Sequence, residues 1–403
     1  MMAEQPQVIH RNGSESRTLR PPDGRRSNLS LVLQSLYDQP QLTRPDLARL
    51  TGLTKVTICD LVAQLIDEGW VAETGVTAGV RPGKPAATLA VREDAHQIIA
   101  LDLSAPDVWL GGVYSLRGVK SAQVSVDLAA SFSGDGATTA VLDLVGRCLA
   151  KATQPVLGIG VGSPGLVDAS GTVIAAPNLG WQQLTLQRII ADHFTLPVAV
   201  QNDANAAVVA ERAFSQAGND LIRVQIARGV GVGILVSGSP VLGASAAAGE
   251  IGHTVIDYQG DPCSCGKRGC LETWISVPAL NRRLRQAQSG VPVETIQCAV
   301  VPDDEAEVGI ESIQPRDVLA EAGRRLGIAL TMVVAALDVP EIVLGGPAEL
   351  IGGPFLEACR DLIIERTHSP FRRDFSMRLS NLGDEAVLLG AVSHVLRTTL
   401  GVS

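Results

Sequence analysis

His253, Cys263, Cys265 and Cys270 fall within one short stretch, Gly249 to Glu272, in the pattern H-x9-C-x-C-x4-C. Three thiolates and an imidazole are donors that Zn²⁺ takes in a tetrahedron. With all four positions filled by protein, the expected site is closed and structural, with no open position for a catalytic water. Gly266 and Gly269 lie inside the cysteine loop, where a tight turn around a metal often needs positive φ. Thiols that merely fill a core rarely cluster this closely. Two carboxylates flank the cluster: Glu250 just before His253, and Glu272 just after Cys270. A metal-tied loop would hold both rigidly, and rigid carboxylates suit the hydroxyl groups of a sugar.

Glu250–His253 (EIGH) and Cys263–Glu272 (CSCGKRGCLE) resemble, without a gap, the signature of the ROK family: repressors, open reading frames and kinases. The resemblance implies a zinc-binding loop that contributes Glu250, His253 and Glu272 to a sugar pocket. His253 would then serve both sites, one ring nitrogen on zinc and the other toward the sugar.

A second polar group is Gln201-Asn202-Asp203-Ala204-Asn205-Ala206, which opens an alanine-rich helix through Phe214. Asn202 or Asp203 is a good N-cap for that helix. A cap residue at a cleft can also bond a ligand hydroxyl. In ROK kinases the matching Asp is the general base on the sugar hydroxyl and the matching Asn binds the sugar, so the resemblance adds Asn202 and Asp203 to the pocket. Gly162–Gly165 and Ala176–Leu179 could also line it, with Asn178 a weaker candidate, although both loops equally fit plain turn chemistry.

Phosphoryl transfer needs backbone amides and Mg²⁺ around the γ-phosphate. Kinases of the family carry Asp-x-Gly-Gly-Thr after the first strand. Here the stretch is Asp102-Leu103-Ser104-Ala105-Pro106: both glycines and the threonine are absent, and Pro106 has no amide hydrogen. The second phosphate loop, Arg228–Gly233, keeps glycines but has Val230 where the kinases usually have Thr. Half a site does not orient ATP, so the expected protein is not an enzyme. The alternative is a ROK-type sugar kinase with an N-terminal extension, for which Asp203 would be the base.

These residues need a scaffold. Gln97–Leu103, Val108–Leu116 and Val119–Leu128 read as strands, followed by a helix near Gly136–Thr153 and a strand at Val156–Val161. A similar cycle recurs at Ile222–Ala227, Val232–Ser237 and Pro240–Leu242, with a later strand at Glu341–Leu344 and closing helices near Pro354–Thr367 and Asp384–Leu400. Two α/β lobes with a cleft between them fit that order. The resemblance implies the duplicated actin-like, ribonuclease-H-like fold over residues 96–403, with the zinc loop at 253–270.

Ahead of it, residues 27–92 read as a DNA-binding head. Residues 1–26, with Pro21-Pro22 and five arginines, read as a disordered arm. From Asn28, Leu29 to Tyr37 supply an apolar helical face. Thr43 caps a second helix with Pro45 in its first turn, Gly52 makes the sharp turn, and Thr54 caps a third. Val56, Ile58, Leu61, Val62, Leu65 and Ile66 are expected to be that helix's apolar face, and Thr54, Lys55, Thr57 and Asp60 its outward one. This is a helix-turn-helix with the third helix for recognition. A hairpin follows, Trp70–Thr74 and Ala87–Val91, whose loop brings Arg81 and Lys84 to phosphate or a minor groove. The segment also resembles the winged helix of ROK repressors. Cys59 and Asp60 are unusual there; Asp60 either accepts from a cytosine amine or points away.

Composition agrees with this division. The chain of 403 residues has a net charge of −9, 46% hydrophobic residues and 3% aromatics, so its cores are aliphatic. Residues 1–90 hold ten Lys/Arg against nine Asp/Glu, whereas the remainder is strongly acidic. The head can approach phosphate, and the rest would be held away. No apolar run is long enough for a bilayer and no secretory signal opens the chain. The seven cysteines fit a reducing cytosol. The expected protein is a cytoplasmic, nucleoid-associated repressor of sugar-utilisation genes. Its partners would be a palindromic operator, a sugar or sugar-derivative effector and its own copies, as a homodimer or homotetramer. A regulator with a vestigial cleft and a protein partner is the third reading.

Overall fold

In the computed structural model, which describes residues 21–76, 86–128, 133–288, 314–368 and 375–402, the chain divides between Arg92 and Glu93 into two units. The first contains α1 (Pro21–Asp38), β1 (Leu42–Thr43), α2 (Arg44–Thr51), α3 (Lys55–Asp67), β2 (Val71–Val76) and β3 (Ala87–Val91). Local chemistry sets each boundary. Thr43 and Asp46 form a capping box, each side chain bonding the other's backbone N–H, and Pro45 occupies the first turn of α2. Gly52 ends α2 in the left-handed region, at φ 72°, and Thr54 caps α3 by accepting from the Thr57 amide. Val32, Leu36, Leu47, Ile58, Leu61, Val62 and Leu89 close the core, beside an antiparallel sheet of order β1-β3-β2.

Two expectations need correction here. Within the described residues the helix already includes Pro21 to Ser27, ahead of Asn28, so it overlaps the arm read as residues 1–26. Val56 does not join the apolar face. It is 71% exposed, because the buried set Ile58, Leu61, Val62 and Leu65 lies on the other side of α3.

The second unit repeats one pattern twice. Its first sheet contains β4 (Gln97–Asp102), β5 (Val108–Ser115), β6 (Lys120–Asp127), β7 (Val156–Ser163) and, completing it later, β11. Between them come α4 (Asp135–Leu149), the short strands β8 (Leu166–Val167), β9 (Val173–Ala176) and β10 (Trp181–Leu184), and α5 (Leu186–Phe194), before β11 (Val198–Asn202). The strand order is β11-β7-β4-β5-β6: an antiparallel meander of three, then two parallel strands. After α6 (Asp203–Phe214) come β12 (Leu221–Ile226), β13 (Val230–Val236), β14 (Ser239–Pro240), α7 (Glu272–Ile275), α8 (Val277–Gln288), α9 (Pro315–Leu337), β15 (Glu341–Gly345), α10 (Ala348–Ile351), α11 (Pro354–Arg366), β16 (Ser376–Leu379) and α12 (Ala386–Leu400). The second sheet, β14-β13-β12-β15-β16, has the same order and the same parallel and antiparallel pairings. The unit is therefore a duplicated α/β fold.

Each sheet has its own aliphatic core. Ile99, Leu101, Trp109, Val141, Leu144, Ile159 and Val161 build the first, under α4 and α5. Ile222, Val224, Leu326, Leu330, Ile342, Phe355 and Ile363 build the second, under α9 and α11. α6 leaves the end of β11 and packs on α12 and β13, so its first turn lies where the two halves join. Among the described residues no helix is long and apolar enough to cross a membrane.

Candidate functional site

Asn202 and Asp203 stand where the last strand of the first sheet becomes a helix. Asn202 is the N-cap of α6: Oδ1 accepts the Asn205 amide at 3.0 Å, while Nδ2 donates to the Gly165 carbonyl and to Asp203 Oδ1, both at 2.9 Å. The cap thereby ties the Gly162–Gly165 loop to the helix start. Asp203 Oδ1 also takes the Ala204 amide at 2.7 Å. Both bonds land on one oxygen. Withdrawal from water, aided by the nearby charge of Asp102 and then of Glu250, pushes the Asp203 carboxyl up to about 7. Three acids thus share one neighbourhood. Asp102, itself buried, is raised as well, chiefly by desolvation. Its place among these acids was missed from sequence, because it read only as the head of a phosphate loop.

Glu250 and His253 lie on a 3-10 turn, Glu250–His253, that packs on β13. Gly249 makes that approach possible. Its φ is 93°, and a Cβ there would overlap the Val232 carbonyl. His253 Nδ1 then faces Cys263 Sγ at 3.4 Å, and Cys265 Sγ lies 3.6 Å from Cys270 Sγ. One ligand atom from each of His253, Cys263, Cys265 and Cys270 falls within 4.8 Å of all the others. A tetrahedral ion with bonds of about 2.3 Å to sulfur and about 2.0 Å to nitrogen spaces its ligands about 3.5–3.8 Å apart. The four residues fit a single metal ion.

The loop that carries them is closed by its own backbone. Ile256 donates to the Gly269 carbonyl, Gly269 to Asp261, and Cys263 to Lys267. Asp261 is paired with Arg282 at 2.6 Å and Arg283 at 3.4 Å. The guanidinium carbons of Arg325 and Arg283 lie 3.4 and 3.9 Å from the Trp274 ring centroid. These anchors escaped the sequence reading, since they join residues on separate elements.

Glu272 opens α7, and its Oε2 accepts the Val230 amide at 3.0 Å. Val230 begins β13, so the glycine-bearing stretch read as a second phosphate loop is mostly paired strand. In the first loop, the Leu103 amide bonds the Gly162 carbonyl and the Ser104 amide bonds Asp102 Oδ1. Asn178 is exposed on a short 3-10 turn, Pro177–Leu179.

In the first unit Thr54 and Lys55 are exposed and Thr57 is half-buried, with the two threonine hydroxyls 2.9 Å apart. Asp60 and Cys59 are exposed on the same helix. Arg81 and Lys84 lie outside the described residues, as do Arg11, Arg17 and Arg20.

Known proteins resemble this chain in sequence and fold. A xylose repressor from Caldicellulosiruptor bescii is 31% identical over 385 residues, spanning 93% of this chain and 96% of its own. A solved ROK family transcriptional regulator, described as a homologue of the Escherichia coli MLC protein, superposes with a TM-score of 0.78 at 25% identity, covering 93% of this chain and 96% of its own. A ROK family glucokinase from Streptomyces griseus, solved with glucose and AMPPNP, superposes with a TM-score of 0.59 at 25% identity, covering 73% of this chain and 98% of its own. The profile of the ROK family itself matches residues 129–398. With its duplicated sheets, its His/Cys cluster and that match, the chain belongs to the ROK family.

Proposed function

We propose that this chain is a DNA-binding transcriptional regulator, a repressor of sugar-utilisation genes, and that a sugar or sugar derivative bound in its ROK domain controls it. One observation carries the reading. A doubly capped helix-turn-helix is joined to a ROK domain in which the Leu103, Ser104 and Val230 amides, in the stretches read as phosphate loops, have partners. The coverage of the relatives agrees. The xylose repressor and the regulator structure match 93% of this chain, whereas the glucokinase matches 73%, a share that the second unit alone can accommodate.

In this reading residues 27–92 bind DNA and residues 96–403 bind the effector. Asn202, Asp203, Glu250, His253 and Glu272 hold the sugar. Zn²⁺ is the ion for His253, Cys263, Cys265 and Cys270; when bound it supplies a rigid cross-link and no chemistry. Those residues position Glu250 and Glu272 at the two ends of the loop. His253 offers Nδ1 to the ion and keeps Nε2 for a sugar hydroxyl. A homodimer or homotetramer in the cytoplasm, on the nucleoid, presents two recognition helices to a palindromic operator, and Arg81 and Lys84 contribute contacts to phosphate or a minor groove. Sugar shifts the balance between two conformations. A clear switch requires affinities for them that differ by several kcal/mol.

Gel shift on the DNA upstream of the gene, with a panel of sugars, tests this. The expected result is a sequence-specific complex that one sugar class changes; no specific complex at low salt overturns the reading. Asp203, pushed up to about 7, favours a second reading as a kinase, because a general base works best near ambient pH. Sugar-dependent ADP release that Asp203→Asn abolishes would establish it instead.

A further inference from the structure

The outward face of α3 carries little of the chemistry by which helices usually read bases. Its exposed residues at helical spacing are Val56, Cys59, Asp60 and Ala63. α3 has no arginine, and Lys55 is its one basic residue. Gln64, a side chain of the type that pairs with adenine, gives Oε1 to Arg25 at 2.7 and 3.2 Å and Nε2 to Glu68 at 2.7 Å. The hydroxyls of Thr54 and Thr57 are bonded to each other, and Thr54 also takes the Thr57 amide at 3.2 Å. What the first two turns hold out is one ammonium, one carboxylate, a thiol and the two methyls of Val56. Val56 is 71% exposed, so most of its side chain faces outward.

We propose that Val56 reads the C5-methyl of a thymine in the operator's major groove, with Asp60 accepting from a cytosine amine about two base steps away. The inference rests on α3 being the recognition helix, as in the function proposed above. Residues at the N-terminal end of such a helix are the ones that reach base edges, and Val56 is the second residue of α3. Thymine alone among the four bases presents a methyl group in the major groove, and an apolar side chain is its matching surface. Val56 and Asp60 are one turn apart, about 6 Å along the helix axis. Two base steps span about 7 Å at 3.4 Å each. A carboxylate is the acceptor that suits the cytosine N4 amine. Lys55, beside Val56, supplies the cation for a neighbouring phosphate and offsets the repulsion between Asp60 and the backbone. The share of specificity that α3 carries therefore sits in a methyl and an amine, without an arginine-to-guanine contact from that helix.

The test uses full-length protein and duplexes that it enriches from a random library. Each thymine of the enriched site is replaced in turn by deoxyuridine, which removes only the methyl, and affinity is read by fluorescence anisotropy at fixed salt. Wild-type protein is expected to lose about fourfold at one thymine per half-site, the value of one buried carbon. Val56→Ala is expected to bind the thymine duplex about as weakly as wild type binds the uracil one, and to show no further loss on uracil. Lys55→Ala should weaken every duplex alike and flatten the salt dependence. Uracil tolerated everywhere, or a uracil penalty that survives Val56→Ala, overturns the inference and leaves the repressor reading intact. A library that yields no enriched sequence overturns both. An exposed valine does not hold the fold, so matching thermal melts for Val56→Ala and wild type separate lost contact from lost structure.

Discussion

Glu272 Oε2 holds the Val230 backbone N–H at 3.0 Å, so the carboxylate closing the metal loop occupies an amide of the glycine-bearing stretch beside it. Both residues belong to the second half of the fold, and the bond ties α7 to the start of β13. A bound anion and this carboxylate would compete for one donor. Glu272→Gln keeps an acceptor for Val230 and removes the charge. Sugar affinity, measured by calorimetry with the sugar found active in gel shift, should fall about tenfold or more. Sugar-free DNA binding and the melting temperature should hold. Unchanged sugar affinity would remove Glu272 from the pocket.

The Asp203 carboxyl predicts how stability depends on pH. Its folded value is about 7 and its ordinary value 3.8. Between these the folded chain keeps a proton that the unfolded chain has lost, so this group's contribution falls as pH rises from about 4 to about 7 and is level above. Asp203→Asn keeps an acceptor for Ala204 and Asn202 and removes the titration. Relative to wild type, the variant should melt higher at pH 8 and nearly the same at pH 4.5. The difference should be at most about 4 kcal/mol. Equal offsets at the two pH values would show that Asp203 is not held near neutrality.

Much of the site was legible because its signals are local. Thr43, Pro45, Gly52 and Thr54 act on residues within one turn, and the structure uses each as a cap, a first-turn residue or a turn. The spacing of His253, Cys263, Cys265 and Cys270 forecast a cluster that the backbone does assemble. Val56 misled because residue type was counted without angle: two positions from Ile58 on a helix is the opposite face. The small sheet of β8, β9 and β10 was invisible, since strands of two to four residues carry no period. Contacts such as Glu272 with Val230 follow only from the way two distant segments meet.

Metal should be needed for the loop's shape, and the loop's shape for metal. Gly269 has φ 68°, and a Cβ there would overlap the Asp257 carbonyl. Gly269→Ala leaves all four ligands in place but prevents this closure. Metal analysis of protein purified without chelator should give about one zinc per chain for wild type and far less for Gly269→Ala and Cys265→Ser. Chelation should lower the wild-type melting temperature and weaken the sugar response, with little further effect on either variant. Full zinc in Gly269→Ala would mean that the ligands alone define the site.

α6 carries Asp203 at one end and, two turns on, Glu211, which is fully buried against Arg223, itself 2% exposed. Glu211 Oε1 lies 3.2 Å from Arg223 Nε and also accepts from the Ser380 hydroxyl. Oε2 is 3.5 Å from Arg378 Nη2, whose Nε pairs with Glu341 at 3.0 Å. The helix that opens at the proposed effector site is thereby fastened to β12, β15 and β16 by charge. Desolvation makes such a pair a weak net stabiliser, but removing one partner strands the other. Glu211→Ala should cost about 3–5 kcal/mol in denaturant unfolding. Glu211→Leu combined with Arg223→Met leaves neither of that pair charged, although Arg378 loses a distant partner. It should recover most of the loss. If the double variant is as unstable as Glu211→Ala, packing rather than an orphaned guanidinium sets the cost. A positive result places the strain of any α6 movement on a fixed ionic joint, so a shift of Asp203 on binding sugar would be felt along the edge of the second sheet.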